Sequence, residues 1–349
     1  MSMEIKSRSL IVFGNGMGMA LDEKYFSLQA GLKSVWNDSD HLSEDHKNLI
    51  LSAIKGTTQA DPPSSEDQLD QLQVAIVATE FLRKFEVNGT SWVSGHAKDL
   101  PSTFKKYIHE VALYFHRSEQ NLPDKFLKPL SEYIQNTRPH VVTLNYDNLL
   151  YDGLISTKVL KGFSGPLIDG YTNKTGFDEG NLNRKNINKH GWYMHLHGSP
   201  LFIGNKKMTG IDRDFLDAKK DSHIVLTHVA HKPIVIGSSP ILSSYWRRLE
   251  KAFEESNRIV LFGYSGLDTH LNERIKLRND KEILIVEWSG EGDKVNRETY
   301  WKDKIGFSKS KLLQIKNILT FVDWDCVLAP TPSVNRHILC GQPCPWCAV

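Results

Sequence analysis

Five short groups of residues carry side chains at spacings that a ligand site uses. Gly14-Asn15-Gly16 breaks the apolar run Leu10 to Phe13 and lets the backbone turn sharply beside a ligand. A helix starting there would point free N–H groups at a phosphate. Met19 stands where the third glycine of a G-x-G-x-x-G turn would fall, so the same residues also read as a tight strand-to-helix turn. Thr143-Leu144-Asn145-Tyr146-Asp147 sets an amide and a carboxylate two residues apart, both able to enter a crevice or to cap a helix near Asn148. His195-Leu196-His197-Gly198-Ser199 offers two imidazoles at strand spacing, a pair that could share a metal. No further ligands follow at short spacing, so no metal is expected; a histidine at a strand end is often just hydrogen-bonded, and His197 beside the glycine is the better candidate for a functional role. Gly263-Tyr264-Ser265-Gly266-Leu267-Asp268 repeats the first design, with Gly263, Ser265 and Asp268 able to hold a phosphate or sugar hydroxyl, or simply to turn the chain. Glu287 follows Ile283 to Val286, where a carboxylate accepts hydrogen bonds from sugar hydroxyls or is merely solvated.

Strands must hold these groups. Leu10 to Phe13, Val141 to Leu144, Trp192 to His197, Pro233 to Ile236, Arg258 to Phe262 and Glu282 to Val286 read as strands, with Leu319 to Val322 a weaker one. Between the first two, from about residue 20 to 136, the chain reads as helical. Leu69, Leu72 and Ile76, then Val77, Phe81 and Phe85, and later Phe104, Ile108, Val111 and Phe115 recur at spacings of three and four. Thr57 to Glu66 interrupts this block as a loop. Leu242, Trp246, Leu249 and Phe253 form another amphipathic helix. The alternation predicts an α/β fold: a Rossmann-like, doubly wound, mostly parallel sheet with a large helical insertion after the first strand. Ligands bind such sheets outside the carboxyl ends of the strands, where all five groups fall.

The 349 residues, 40% hydrophobic and 24% charged with a net charge of +2, suit an ordinary globular protein. No basic cluster suggests a nucleic acid or membrane partner, and no apolar run is long enough to span a bilayer or direct secretion. A cytoplasmic chain is expected. Residues 1–325 read as one domain and 326–349 as a tail holding all four cysteines, Cys326, Cys340, Cys344 and Cys347. With His337 these could bind zinc, but the spacing lacks paired C-x-x-C motifs, and a flexible tail is the expectation.

The order of motifs resembles the sirtuin family: a glycine turn after the first strand, T-x-N-x-D at Thr143 to Asp147, H-G-S at His197 to Ser199, and a G-x-S turn at Gly263 to Ser265. T-x-N-Y-D and G-Y-S-x-x-D look like the bacterial sirtuin-like branch whose members hydrolyse NAD in antiphage defence. The resemblance spans about Leu10 to Trp288. It implies that residues 1–325 are a NAD-binding domain, with Gly14, Asn15 and Gly16 against the pyrophosphate. It also implies that Asn145 and Asp147 lie at the nicotinamide and its ribose, that His197 is the catalytic histidine, and that Gly263 and Ser265 contact phosphate or ribose. Thr143, Asp268 and Glu287 join the cofactor-binding candidates. Sirtuin deacylases carry a zinc module between the H-G and G-x-S motifs, but no cysteine lies between Gly198 and Gly263, and the D-F-R element is missing too. The expected activity is therefore hydrolysis of NAD, as substrate, to nicotinamide and ADP-ribose. A non-catalytic NAD or ADP-ribose sensor and a NAD-dependent deacylase are the alternatives. The expected partners are further copies of the chain and a defence-system protein.

Overall fold

The computed structural model describes residues 8–38, 42–54, 62–63, 66–84, 93, 95–172, 176–184, 188–204, 206–207, 222–225, 232–306 and 310–324. Strand β1 (Arg8–Phe13) is wholly buried and ends in the first glycine turn. Seven helices follow: α1 (Gly16–Leu21), α2 (Glu23–Phe26), α3 (Leu28–Asn37), α4 (Glu44–Ala53), α5 (Glu66–Arg83), α6 (Leu100–His116) and α7 (Asp124–Thr137). They make up the predicted insertion. The chain returns through β2 (His140–Thr143) and α8 (Leu149–Ser156) to β3 (Leu167–Ile168), the hairpin β4 (Tyr171–Thr172) and β5 (Gly176–Phe177), and β6 (Gly191–His195). A small antiparallel sheet of β7 (Gly198–Ile203), β8 (Lys206–Lys207) and β9 (Ser222–Ile224) comes next. Then come α9 (Lys232–Ser238), α10 (Pro240–Glu255), β10 (Ser256–Phe262), α11 (Thr269–Lys276), β11 (Glu282–Trp288), α12 (Lys294–Ile305) and β12 (Ser310–Ile315).

The main sheet has seven strands in the order β12-β11-β10-β1-β2-β6-β3, every neighbouring pair parallel. This is the predicted doubly wound α/β sheet. The chain winds outward from β1 in one direction and then crosses to β10, so its order reverses beside β1. Crevices form where the order reverses.

Helices flank the sheet because its strands are apolar on both faces. Helix α10 packs along β1, β6 and β10 through Leu242, Trp246, Leu249 and Phe253, the four residues whose spacing predicted it. Helix α7 brings Phe126 and Tyr133 against Phe262 and Trp324. Each such ring, fully buried, contributes roughly 1.5–3 kcal/mol. In α6 the predicted stripe of Phe104, Ile108, Val111 and Phe115 is buried throughout. Of the α5 residues whose spacing predicted it, Leu69, Leu72 and Ile76 are buried, whereas Val77 and Phe81 are exposed, and Phe85 lies outside the described residues.

Two strand expectations are corrected. Residues 233–236 lie within α9, where Pro233 occupies the first turn, which tolerates its missing N–H and fixed φ. Residues 319–322 form part of a short 3-10 turn capped by Asn317 and then an irregular segment. The edge position is filled instead by β12, whose sequence Ser-Lys-Leu-Leu-Gln-Ile is only partly buried. No helix among the described residues is long and apolar enough to cross a membrane. The cysteines and His337 of the tail lie outside the described residues.

Candidate functional site

One backbone bond beyond each strand end lines up four turns on the same edge of the sheet. Gly263 N–H donates to Val286 O, Gly14 N–H to Phe262 O, Leu144 N–H to Phe13 O and Leu196 N–H to Thr143 O, at 2.8–3.0 Å. Parallel register thus brings together residues more than a hundred positions apart. They wall a cavity of about 230 Å³ lined by Gly14, Asn15, Asn145, Asp147, His197, Ser265 and Asp268. Tyr146, Lys232, Tyr264 and four apolar side chains, Leu28, Phe115, Leu144 and Leu267, complete the wall. Gly16, Thr143, Gly263 and Glu287 are not part of it.

The glycines form the tight strand-to-helix turn that their sequence also allows. A Cβ on Gly14 would lie 2.6 Å from Gly263 O and from Tyr264 Cα, and one on Gly16 would lie 2.7 Å from Gly263 O. Gly16 N–H itself donates to Gly263 O at 2.8 Å, and Met17 N–H to Gly14 O at 3.3 Å. Gly263 has φ 58°, in the left-handed region that favours glycine. Two backbones therefore meet here, and N–H groups expected to face a phosphate are engaged within the protein. The Asn15 amide donates to Phe26 O at 2.8 Å and so ties the turn to the insertion.

The β2–α8 turn supplies the polar groups. Thr143 Oγ1 accepts the Asn145 N–H at 3.1 Å, shaping the turn without reaching the cavity. Asn145 Nδ2 donates to Gly14 O at 3.2 Å. Its Oδ1, buried in the cavity wall, has no partner among the described residues. An orphaned acceptor of this kind costs about 1–3 kcal/mol unless a ligand or water meets it. Asp147 Oδ1 accepts the Leu149 N–H at 3.0 Å, so the carboxylate does cap α8 while it faces the cavity. Burial pushes its pKa up to about 7, against the opposing hydrogen bonds from Leu149 and Asn145.

The two histidines part company. Strand β6 ends at His195, which is buried among Tyr151, Tyr193 and Phe202 with neither ring nitrogen bonded among the described residues. Burial holds its pKa well below the usual value and keeps it neutral. His197 has left the strand, so the two rings do not share a face. Its ring stacks on Tyr146, and its Nε2 lies 2.7 Å from Asp268 Oδ2.

Asp268 sits at the N-cap of α11, where Oδ1 accepts the Leu271 N–H at 3.1 Å. Lys232 Nζ, buried at the start of α9, donates to Oδ2 at 3.0 Å. Burial alone would raise the Asp268 pKa. The hydrogen bonds from His197 and the Leu271 N–H and the charge of Lys232 outweigh it and hold the carboxyl well below its usual range. Tyr264 and Asn272 brace this turn from within, the tyrosine hydroxyl lying 2.7 Å from Asn272 Oδ1. Lys232 was missed by sequence reading: it lies 36 residues from Asp268 and belongs to no motif.

Glu287 is elsewhere and fully engaged. Arg297 grips it through Nε and Nη2 at 2.7–3.2 Å, Trp301 Nε1 donates at 2.8 Å and Gln314 Nε2 at 3.1 Å. The expected role with sugar hydroxyls gives way to an anchor joining β11, α12 and β12.

The cavity wall pairs polar side chains (the Asn145 amide, a carboxyl of raised pKa, an imidazole) with an apolar lining. Such a lining suits a ligand that has hydroxyl or amide donors and a flat apolar ring. A family model for the SIR2-like domain matches residues 139–304. The match supports the sirtuin-like family and a NAD-related function, since SIR2-like domains bind NAD and are generally NAD-dependent enzymes. It covers β2 through α12, and with them Asn145, Asp147, His197, Lys232 and Asp268. The first strand, its glycine turn and the whole insertion precede it. No curated protein matches the chain.

Proposed function

We propose that this chain is a NAD glycohydrolase that cleaves NAD to nicotinamide and ADP-ribose. One observation carries the reading: Asn145, with its unpartnered Oδ1, Asp147 and His197 converge on one cavity. In the reaction the C1′–N1 glycosidic bond breaks and its electron pair goes to the pyridinium nitrogen, releasing neutral nicotinamide. A water oxygen bonds to C1′ and gives up a proton. The chain's task is to orient the ribose, support the cationic sugar and direct the water. Asn145 orients the ribose and the water. His197 takes a proton from the water or polarises a ribose hydroxyl. Asp147 binds the carboxamide or, ionised, supports the cation. Gly14 and Asn15 border the phosphates, with Ser265 at the exposed side of the cavity.

The resemblance to bacterial sirtuin-like proteins extends the proposal to an effector of antiphage defence, acting as a homo-oligomer with a defence-system partner. Light scattering of the purified chain reads its assembly state. Function is tested by nicotinamide release from NAD by the pure protein beside Asn145→Ala and His197→Ala. The expected result is release by the parent and at least a hundredfold less by either variant, roughly the scale of a lost acid–base group. Saturable NAD binding with no turnover, even with the defence partner present, would replace the hydrolase with a sensor.

A further inference from the structure

His197 meets a carboxylate that also meets an ammonium. Asp268 Oδ2 lies 2.7 Å from His197 Nε2 and 3.0 Å from Lys232 Nζ, and all three residues are buried in the cavity wall. The other oxygen, Oδ1, holds the Leu271 N–H. An ionised carboxylate only accepts and an ammonium only donates, so the imidazole nitrogen facing this carboxylate must carry a proton. Among the described residues nothing bonds to Nδ1 of His197. Among the described residues, Asp147 and Tyr146 of the β2–α8 turn also line the cavity beside the ring, and Tyr146 directs its hydroxyl to Val225 O. Neither bonds to the imidazole.

We propose that Asp268 and Lys232 are positioning residues that fix His197 as its Nε2-protonated tautomer and leave Nδ1 as the nitrogen that takes a proton from the water or polarises a ribose hydroxyl. Lys232 matters because Asp268 is buried: an ammonium beside the carboxylate keeps it anionic without drawing the imidazole's proton onto it. The tautomer follows from geometry alone. Its catalytic consequence rests on the hydrolase reading.

The two parts are separated by experiment. Long-range ¹H–¹⁵N spectra of the full chain carrying ¹⁵N-histidine, with His197 assigned by its loss in His197→Gln, read the tautomer without any turnover. A neutral ring protonated on Nε2 is expected; one protonated on Nδ1, or an even mixture, overturns the proposal. The paired variant Asp268→Ala/Lys232→Met removes both charges, so that neither is stranded. It is expected to give a mixed tautomer and, in a protein that releases nicotinamide, a kcat lower on the order of 10⁴-fold with KM within about threefold, as when the orienting carboxylate of a catalytic histidine is lost. A paired variant that keeps a single Nε2–H form, or the parent's kcat, also overturns it. If the paired variant does not fold, the parent's spectrum decides. If the parent never hydrolyses NAD, the hydrolase reading fails and the tautomer still stands or falls on the spectra.

Discussion

The carboxyl of Asp147 caps α8 with one oxygen and faces the cavity, and burial moves its pKa up to about 7. In the unfolded chain an aspartate titrates near 3.9. Between those values the native state holds a proton that the unfolded state has lost, so this group's contribution to stability falls as pH rises from about 4 to about 7 and then levels off. The difference corresponds to roughly 4 kcal/mol. Asp147→Asn keeps an oxygen for the Leu149 N–H and removes the titration. Urea unfolding of variant and parent should therefore show the variant gaining relative stability across that interval; a constant difference would mean that Asp147 ionises normally. If the anion supports the sugar cation, nicotinamide release by the parent climbs through the same interval.

At the scale of elements, the site depends on turns that touch. Gly14→Ala would set a Cβ against Gly263 O and Tyr264 Cα, forcing apart the turns after β1 and β10. The expected cost is about 1–3 kcal/mol of unfolding free energy, the range for overpacking. ADP-ribose should bind more weakly as well, because Asn145 Nδ2 is hung on Gly14 O. Unchanged stability and affinity would show that the contact yields freely. Glu287→Gln makes the contrasting case. Breaking its buried pairing with Arg297 should cost about 3–5 kcal/mol while leaving ADP-ribose affinity intact where the protein stays folded. A selective loss of affinity would return Glu287 to the ligand. Much of this architecture is legible in sequence. The central strands are continuous apolar runs, and their turns carry the glycine and amide residues that the cavity uses. What stays hidden has physical causes. Pro233-Ile234-Val235-Ile236 has strand composition, yet a proline suits the first turn of α9 equally well. Strand β12 sits at the sheet edge, is half solvated and lacks a continuous apolar run. Lys232 gains its role only when α9 meets the α11 cap, a contact that no local pattern encodes.

For the whole molecule, the cavity's walls come from parts distant in sequence. The main sheet gives Gly14 and Asn145, the insertion gives Leu28 and Phe115, and α9 gives Lys232. Phe115 is held from behind by its close packing on Gly31, and the neighbouring Tyr114 stacks on Tyr25, so α6 reports on the turn below it. A ligand that fills this cavity therefore touches the insertion and the sheet at once. ADP-ribose, the proposed product, is not consumed and serves as the probe. At a hundred times its dissociation constant it should stabilise the fold by about 2.7 kcal/mol. Hydrogen exchange should slow in three places together: the β2–α8 turn, the end of α6 near Phe115, and α9. Protection confined to the sheet turns, with α6 unchanged, would mean that the insertion only roofs the site. Protection at all three would make the insertion a route by which a partner bound to its outer surface can alter the cavity.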